Sequence, residues 1–170
     1  MHVLSIGTGS KCIGNESVNY TRGQVILDSH AEVVANRALK LLLYSELNGK
    51  SGKFLKKATG GQGFRFKSRM KLHLYISCAP CGSAQKDIGS RDYDKLRTIE
   101  SGSEGDPVME GRKRGNSEFY TCSDKIAMWN VVGVQGALLS AFIEPIYIDN
   151  IIVSEQYNHS SLTKAVYGRI

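Results

Sequence analysis

Three segments of this chain set a metal-capable residue at a turn leading into a helical pattern, two of them after an apolar run and the third after the polar, Gly-rich stretch from Arg91 to Tyr120, which reads as an extended surface loop. That arrangement restricts the fold more than any other feature. Leu72-His73-Leu74-Tyr75-Ile76-Ser77 alternates and is rich in strand formers. Cys78-Ala79-Pro80-Cys81-Gly82 follows without a spacer, and Pro80 stands where it can open a helix. Upstream, Val25-Ile26-Leu27 runs into Asp28-Ser29, which offer N-cap chemistry, and then into His30. From His30 to about Leu47 the pattern is helical, with Val33, Val34, Ala38, Leu41 and Leu42 setting the period. Downstream, Cys122 lies just before a helical pattern that begins at Ser123. It runs through Ile126, Ala127, Trp129, Asn130, Val134, Leu138 and Leu139 until Pro145 stops it. Val3 to Ile6, Ile146 to Ile148 and Ile151 to Val153 read as strands, and Ser160 to Arg169 as a last helix. Such alternation predicts an α/β fold, a sheet covered by helices. A helix N-terminus presents unsatisfied N–H groups and partial positive charge, which favour thiolate over thiol at each cysteine turn.

Composition sets bounds around that arrangement. A length of 170 residues fits one domain with a buried core, and 41% hydrophobic with 22% charged residues sits in the range of globular rather than disordered chains. The net charge of +6 permits an anionic partner. That charge is concentrated: Lys50, Lys53, Lys56, Lys57, Arg65, Lys67, Arg69 and Lys71 lie in a stretch from Asn48 to Lys71 without Asp or Glu. Such a stretch can contact backbone phosphates, although solvated basic loops have the same composition. The opening Met1-His2-Val3-Leu4-Ser5-Ile6 lacks a secretory pattern, and no apolar run reaches membrane-spanning length. Four cysteines without an export signal point to reduced thiols in an intracellular setting, nucleus or cytoplasm. Gly7-Thr8-Gly9-Ser10-Lys11 lacks P-loop spacing.

The chemistry begins at His30-Ala31-Glu32. A metal-binding imidazole with a nearby carboxylate that stays off the metal forms a water-activating pair. Alone, the tripeptide is also ordinary helix-surface polarity. Cys78 and Cys81 spell Cys-x-x-Cys, which leaves redox and zinc-knuckle readings open. Neither a thioredoxin-like βαβ opening nor a second Cys-x-x-Cys accompanies them. His30, Cys81 and Cys122 together would leave a fourth position for water, the open arrangement of a catalytic zinc. Zinc deaminases combine His-x-Glu with Pro-Cys-x-x-Cys. Here Ala84 stands three beyond Cys81, so the second thiolate must come from farther along the chain.

Leu27-Asp28-Ser29-His30-Ala31-Glu32-Val33, Leu72 through Gly82, Cys122-Ser123-Asp124-Lys125-Ile126-Ala127, Trp129 through Leu139 and Glu144-Pro145-Ile146-Tyr147 occur in collinear order. With Gly7-Thr8-Gly9-Ser10-Lys11-Cys12 they closely resemble the editase domain of adenosine deaminases acting on RNA and their tRNA-specific relatives. The resemblance implies a cytidine-deaminase-like three-layer fold, a central mixed sheet flanked by helices, with residues 1–170 as a single editase domain. It implies zinc held by His30, Cys81 and Cys122, with Glu32 as the proton shuttle. Activated water would attack C6 of adenine and expel ammonia, leaving inosine. Asp28 and Lys125 resemble the family's relay beside the metal, against the alternative of a plain ion pair. Lys11 and the loop carrying Glu104 resemble its RNA-contacting and base-flipping elements, with a mobile acidic loop as the alternative for Glu104.

The resemblance has gaps. The family's domain continues with a further helical portion beyond Arg169-Ile170, so the C-terminal end reads as shortened or partial. Relatives bury inositol hexakisphosphate behind the zinc site. Arg37, Lys125, Trp129 and Gln135 match positions there, but Asn36 and Met128 replace basic residues. Leu27 and Ser83 also depart from the usual Asn and Asp. Three functions follow for comparison: an editing enzyme on double-stranded or structured RNA, a tRNA-specific deaminase, and an inactive RNA-binding relative. The partner is RNA in each case, with no membrane; the oligomeric state is not legible.

Overall fold

The computed structural model describes residues 1–12, 24, 26–49, 52–58, 63–85, 113–114, 117–118 and 120–168. In chain order its elements are helix α1 (Ala31–Leu47), strands β1 (Leu55–Lys57), β2 (Phe64–Phe66) and β3 (His73–Cys78), and a 3-10 turn at Ser83–Gln85. Strands β4 (Lys113–Arg114) and β5 (Ser117–Glu118) follow, then helices α2 (Cys122–Val132) and α3 (Gly136–Ser140), strand β6 (Asn150–Glu155) and helix α4 (His159–Val166). The architecture is mixed α/β, with three two-stranded ladders among the described residues: β1–β2, β3–β6 and β4–β5. Contacts divide the chain into two interleaved units.

The first unit comprises Met1–Lys11, Ser29–Leu74 and Trp129–Ile151. Helix α1 exists where the periodicity places it, yet its buried face differs. Val33, Asn36, Leu39, Leu43 and Glu46 are buried, whereas Leu41 is 70% exposed. The two polar members enter the interior because backbone groups there need partners. Asn36 Nδ2 donates to Val134 O at 3.0 Å. Glu46 Oε2 accepts from Phe54 N at 2.7 Å and Leu55 N at 3.2 Å, which ties the end of α1 to the start of β1. Strand β1 pairs antiparallel with β2, and residues 142–144 extend that ladder through Phe64.

Burial pushes the Glu46 carboxyl up, but the Phe54, Leu55 and Lys53 amides, helped by Lys67, outweigh it and hold the group below its ordinary value of 4.5. A depressed folded-state value means the contribution to stability is complete above the unfolded value and is lost as pH falls through the folded one. Glu46→Gln is therefore expected to cost about 1–3 kcal/mol at neutral pH. Thermal melts should show that this difference from the unaltered protein shrinks on acidification.

Helical periodicity alone predicts one helix from Ser123 to Leu139, but the structure breaks it. Gly133 adopts φ +84°, the left-handed conformation that terminates α2, and its N–H donates to Trp129 O at 2.9 Å. Gln135 holds the break: Nε2 donates to Val132 O at 2.7 Å, and Oε1 accepts from Ile146 N at 3.0 Å. Residues 146–148, expected as a strand, are consequently irregular, with Val134 N also donating to Ile146 O at 2.9 Å. Val3 to Ile6 is not a strand either, and Val3 and Ile6 are 80% and 78% exposed. Leu43, Leu139 and Ile143 are at most 1% exposed and form the heart of this unit.

The second unit comprises Cys12–Asp28, Tyr75–Met128 and Ile152–Ile170. Ile76, Ile126, Ala165 and Val166 are its buried apolar residues around the 3-10 turn and α4. Asn158 caps α4, Oδ1 accepting from Ser161 N at 2.9 Å, so the helix starts one residue before the expected Ser160. Most of the loop expected between residues 91 and 120 lies outside the described residues, apart from the β4–β5 pair, in which Lys113 and Glu118 are register partners.

Candidate metal centre

His30 is the N-cap of helix α1, in an extended conformation (φ −61°, ψ 144°), and makes no side-chain cap bond there. Ser29, expected as a cap, instead donates from its hydroxyl to Lys11 O at 2.9 Å. The helix start is fixed by the glycine segment before it: Ala31 N–H donates to Gly9 O at 2.9 Å and Ser29 N–H to Lys11 O at 3.0 Å. Gly9 has φ +138°, and a Cβ there would strike Ser29 O. His30 is buried at 8% exposure, and Glu32 follows in the first turn of α1.

The two sulfur residues are set by a different piece of local structure. Thr121 caps α2 reciprocally with Asp124. Asp124 Oδ2 accepts from the Thr121 amide at 2.7 Å and its hydroxyl at 2.6 Å, while Asp124 N donates to Thr121 Oγ1 at 3.0 Å. Cys122 thereby becomes the first residue of α2, and its amide donates to Cys81 Sγ at 3.3 Å. The open end of the helix is aimed at that sulfur, the arrangement that favours thiolate over thiol. Pro80 does not open a helix; the chain turns at Gly82 (φ +104°), where a Cβ would collide with the Thr121 side chain.

The ligand atoms of His30, Cys81 and Cys122 all lie within 4.8 Å of one another. Ligands on one tetrahedral zinc stand about 3.5–4 Å apart, from Zn–S near 2.3 Å and Zn–N near 2.0–2.1 Å. One nitrogen and two sulfurs at this spacing fit a single zinc and supply three protein ligands, the number of an open site. Cys78 is not in the group, and its sulfur donates to Gln156 Oε1 at 2.9 Å.

Lys125, on the first turn of α2, forms an ion pair with Asp28. The two side chains are only 20% and 12% exposed, so the plain surface pair allowed by the sequence is replaced by a largely buried one. Of the positions matched to an inositol phosphate site, Gln135 is 2% exposed with both ends of its amide bound to backbone, and Trp129 is 7% exposed in the core. Lys11 is exposed, and Glu104 lies outside the described residues.

Thr121, Gly82 and Ser123 are structural members of this site that residue chemistry alone passed over. The Thr121-x-x-Asp124 spacing was the available signal for the cap. Nothing local marks Ser123.

Comparison with known proteins gives the arrangement its family. The sequence model of the adenosine-deaminase (editase) domain matches residues 5–100 and 93–170. Double-stranded RNA-specific editase Adar of Drosophila melanogaster is 36% identical over 99% of this chain and 29% of its own length. Double-stranded RNA-specific adenosine deaminase of Rattus norvegicus is 33% identical over 99% of this chain and 17% of its own length. For tRNA-specific adenosine deaminase 1 of Drosophila melanogaster the identity is 31%, over 98% of this chain and 48% of that protein. The chain thus spans less than half the length of each of these relatives. With the family model and these relatives matching along almost all its residues, this chain belongs to the adenosine-deaminase (editase) domain family.

Proposed function

We propose that this chain carries out zinc-dependent hydrolytic deamination of adenosine to inosine in double-stranded or structured RNA. The observation that carries the reading is the convergence of His30, Cys81 and Cys122 in a chain of the editase family. When bound, zinc supplies Lewis acidity that brings the pKa of water to about 7. Glu32 accepts the proton of the attacking water and delivers protons to the ring nitrogen and to the departing amine. Ammonia leaves C6, and inosine remains. Lys125 and Asp28 hold charge in place beside Cys122, which fixes ligand orientation.

Adenosine in a duplex must be extruded from its stack before C6 can be reached. Lys11 and Glu104 are assigned to that RNA-facing role, and the basic residues of the 48–71 segment to phosphate contacts that give affinity without sequence choice. Duplex RNA is the first-choice substrate because relatives named for double-stranded RNA share 36% and 33% identity, against 31% for the tRNA-specific one. The proposal extends to a three-layer fold acting as one editase domain, working in a reducing compartment of nucleus or cytoplasm, where the thiols stay available. Among the described residues no helix is long and apolar enough to cross a membrane.

The test is inosine formation by the zinc-loaded chain on labelled duplex RNA and on tRNA. Inosine in duplex RNA is the expected result, inosine in tRNA alone would reassign the substrate, and none in either would identify an inactive RNA-binding relative. Within an active protein, Lys125→Met is expected to lower the rate about 10–100-fold with zinc retained, read as inosine rate against metal content.

A further inference from the structure

The two sulfurs of the metal group are 41 positions apart in the chain. Closing so long a connection costs conformational entropy, and their spacing must be held by direct cross-links. One fully buried side chain supplies several of them. Ser123, 0% exposed, follows Cys122 in the first turn of α2. Its hydroxyl lies 2.9 Å from Cys81 O and 3.2 Å from Pro80 O, and it accepts from Ala84 N at 3.3 Å. Its amide also donates to Cys81 O at 3.1 Å. The remaining carbonyls of the Cys81 turn are bound by Gln85: Nε2 donates to Ala79 O at 2.7 Å, and its amide to Gly82 O at 3.0 Å.

We propose that Ser123 is a positioning residue of the metal centre: its buried hydroxyl latches the Cys81 turn onto the first turn of α2 and so sets the distance between the two sulfur ligands. The single hydroxyl proton serves one of the two carbonyls at a time, and a lone pair serves the Ala84 amide, so every contact of this group falls on the Cys81 turn. Ala at 123 would suit the helix at least as well as Ser. The loss on substitution therefore falls on the latch rather than on α2. The inference rests on the zinc reading above.

Zinc affinity, measured by chelator competition on the full chain, tests it. Ser123→Ala is expected to weaken zinc binding about 10–100-fold and to shrink the rise in melting temperature that zinc produces. The control is Ser161→Ala, another buried serine of the same unit, whose hydroxyl bonds Asn158 Oδ1 at 3.1 Å. It should lower the melting temperature with and without zinc alike, leaving zinc affinity unchanged. Equal zinc affinity for Ser123→Ala and the unaltered protein would overturn the latch while leaving the metal reading intact. An unaltered protein that binds no zinc would overturn both. Should Ser123→Ala not fold, amide exchange of the unaltered protein decides the matter. Zinc removal should speed exchange at Ala84 and Ser123 together, and exchange at Ala84 indifferent to zinc would overturn the proposal.

Discussion

Glu32→Gln is expected to lower inosine formation by about 10²–10⁴-fold, the range that a positioned general acid–base contributes, with zinc content unchanged. The substitution keeps the shape of the side chain and removes its ability to take a proton. Glu32 is not among the three grouped ligands, so the metal should stay bound. Its place in the first turn of α1 makes the stability effect small, about 0.3–1 kcal/mol from the lost interaction with the helix N-terminus. Single-turnover inosine assays on protein of measured zinc content separate the two effects. Equal inosine yield from both proteins would end the enzymatic reading.

Cys122→Ala should abolish tight metal binding. Zinc sites of four ligands in small domains bind with about 10–16 kcal/mol, so one ligand accounts for about 2.5–4 kcal/mol, or roughly 60–700-fold in affinity. Cys122 is 1% exposed, and the Thr121–Asp124 cap that starts α2 does not involve its side chain. Circular dichroism should therefore show the helix retained while the zinc-dependent rise in melting temperature disappears. Cys78→Ser makes the comparison decisive. Its sulfur bonds Gln156 and stands outside the group, so zinc binding should persist. Loss of zinc from Cys78→Ser would instead revive the Cys-x-x-Cys knuckle.

Much of the secondary structure is legible from period and punctuation. Helix α1 and strand β3 fall within a residue of the expected bounds, because each is a strongly patterned segment with clear ends. The misses share a cause. The 123–139 pattern is apolar enough for one helix, but Gly133 and the Gln135 side chain break it. Ile146 to Ile148 has strand composition, yet Ile146 spends its amide on Gln135. In α1 the expected apolar stripe gives way to a face containing Asn36 and Glu46, whose partners lie outside the helix, at Val134 far along the chain and at Phe54 just beyond the helix end. Side-chain hydrogen bonds to backbone outside the helix override local pattern at Asn36, Glu46 and Gln135.

Residue types and their order determine, without coordinates, that an imidazole and a thiol each stand where a helix begins, that a second thiol follows a strand, and that a carboxylate lies two positions past the imidazole. Those features follow from local propensity and from chemistry that each residue carries wherever it is placed. Only the tertiary structure decides that His30, Cys81 and Cys122 gather within 4.8 Å, that Asp28 meets Lys125 in partial burial, and that Ser123 closes on the Cys81 turn. Encounters between residues so far apart in the chain depend on how whole elements pack, and no short-range pattern encodes that packing.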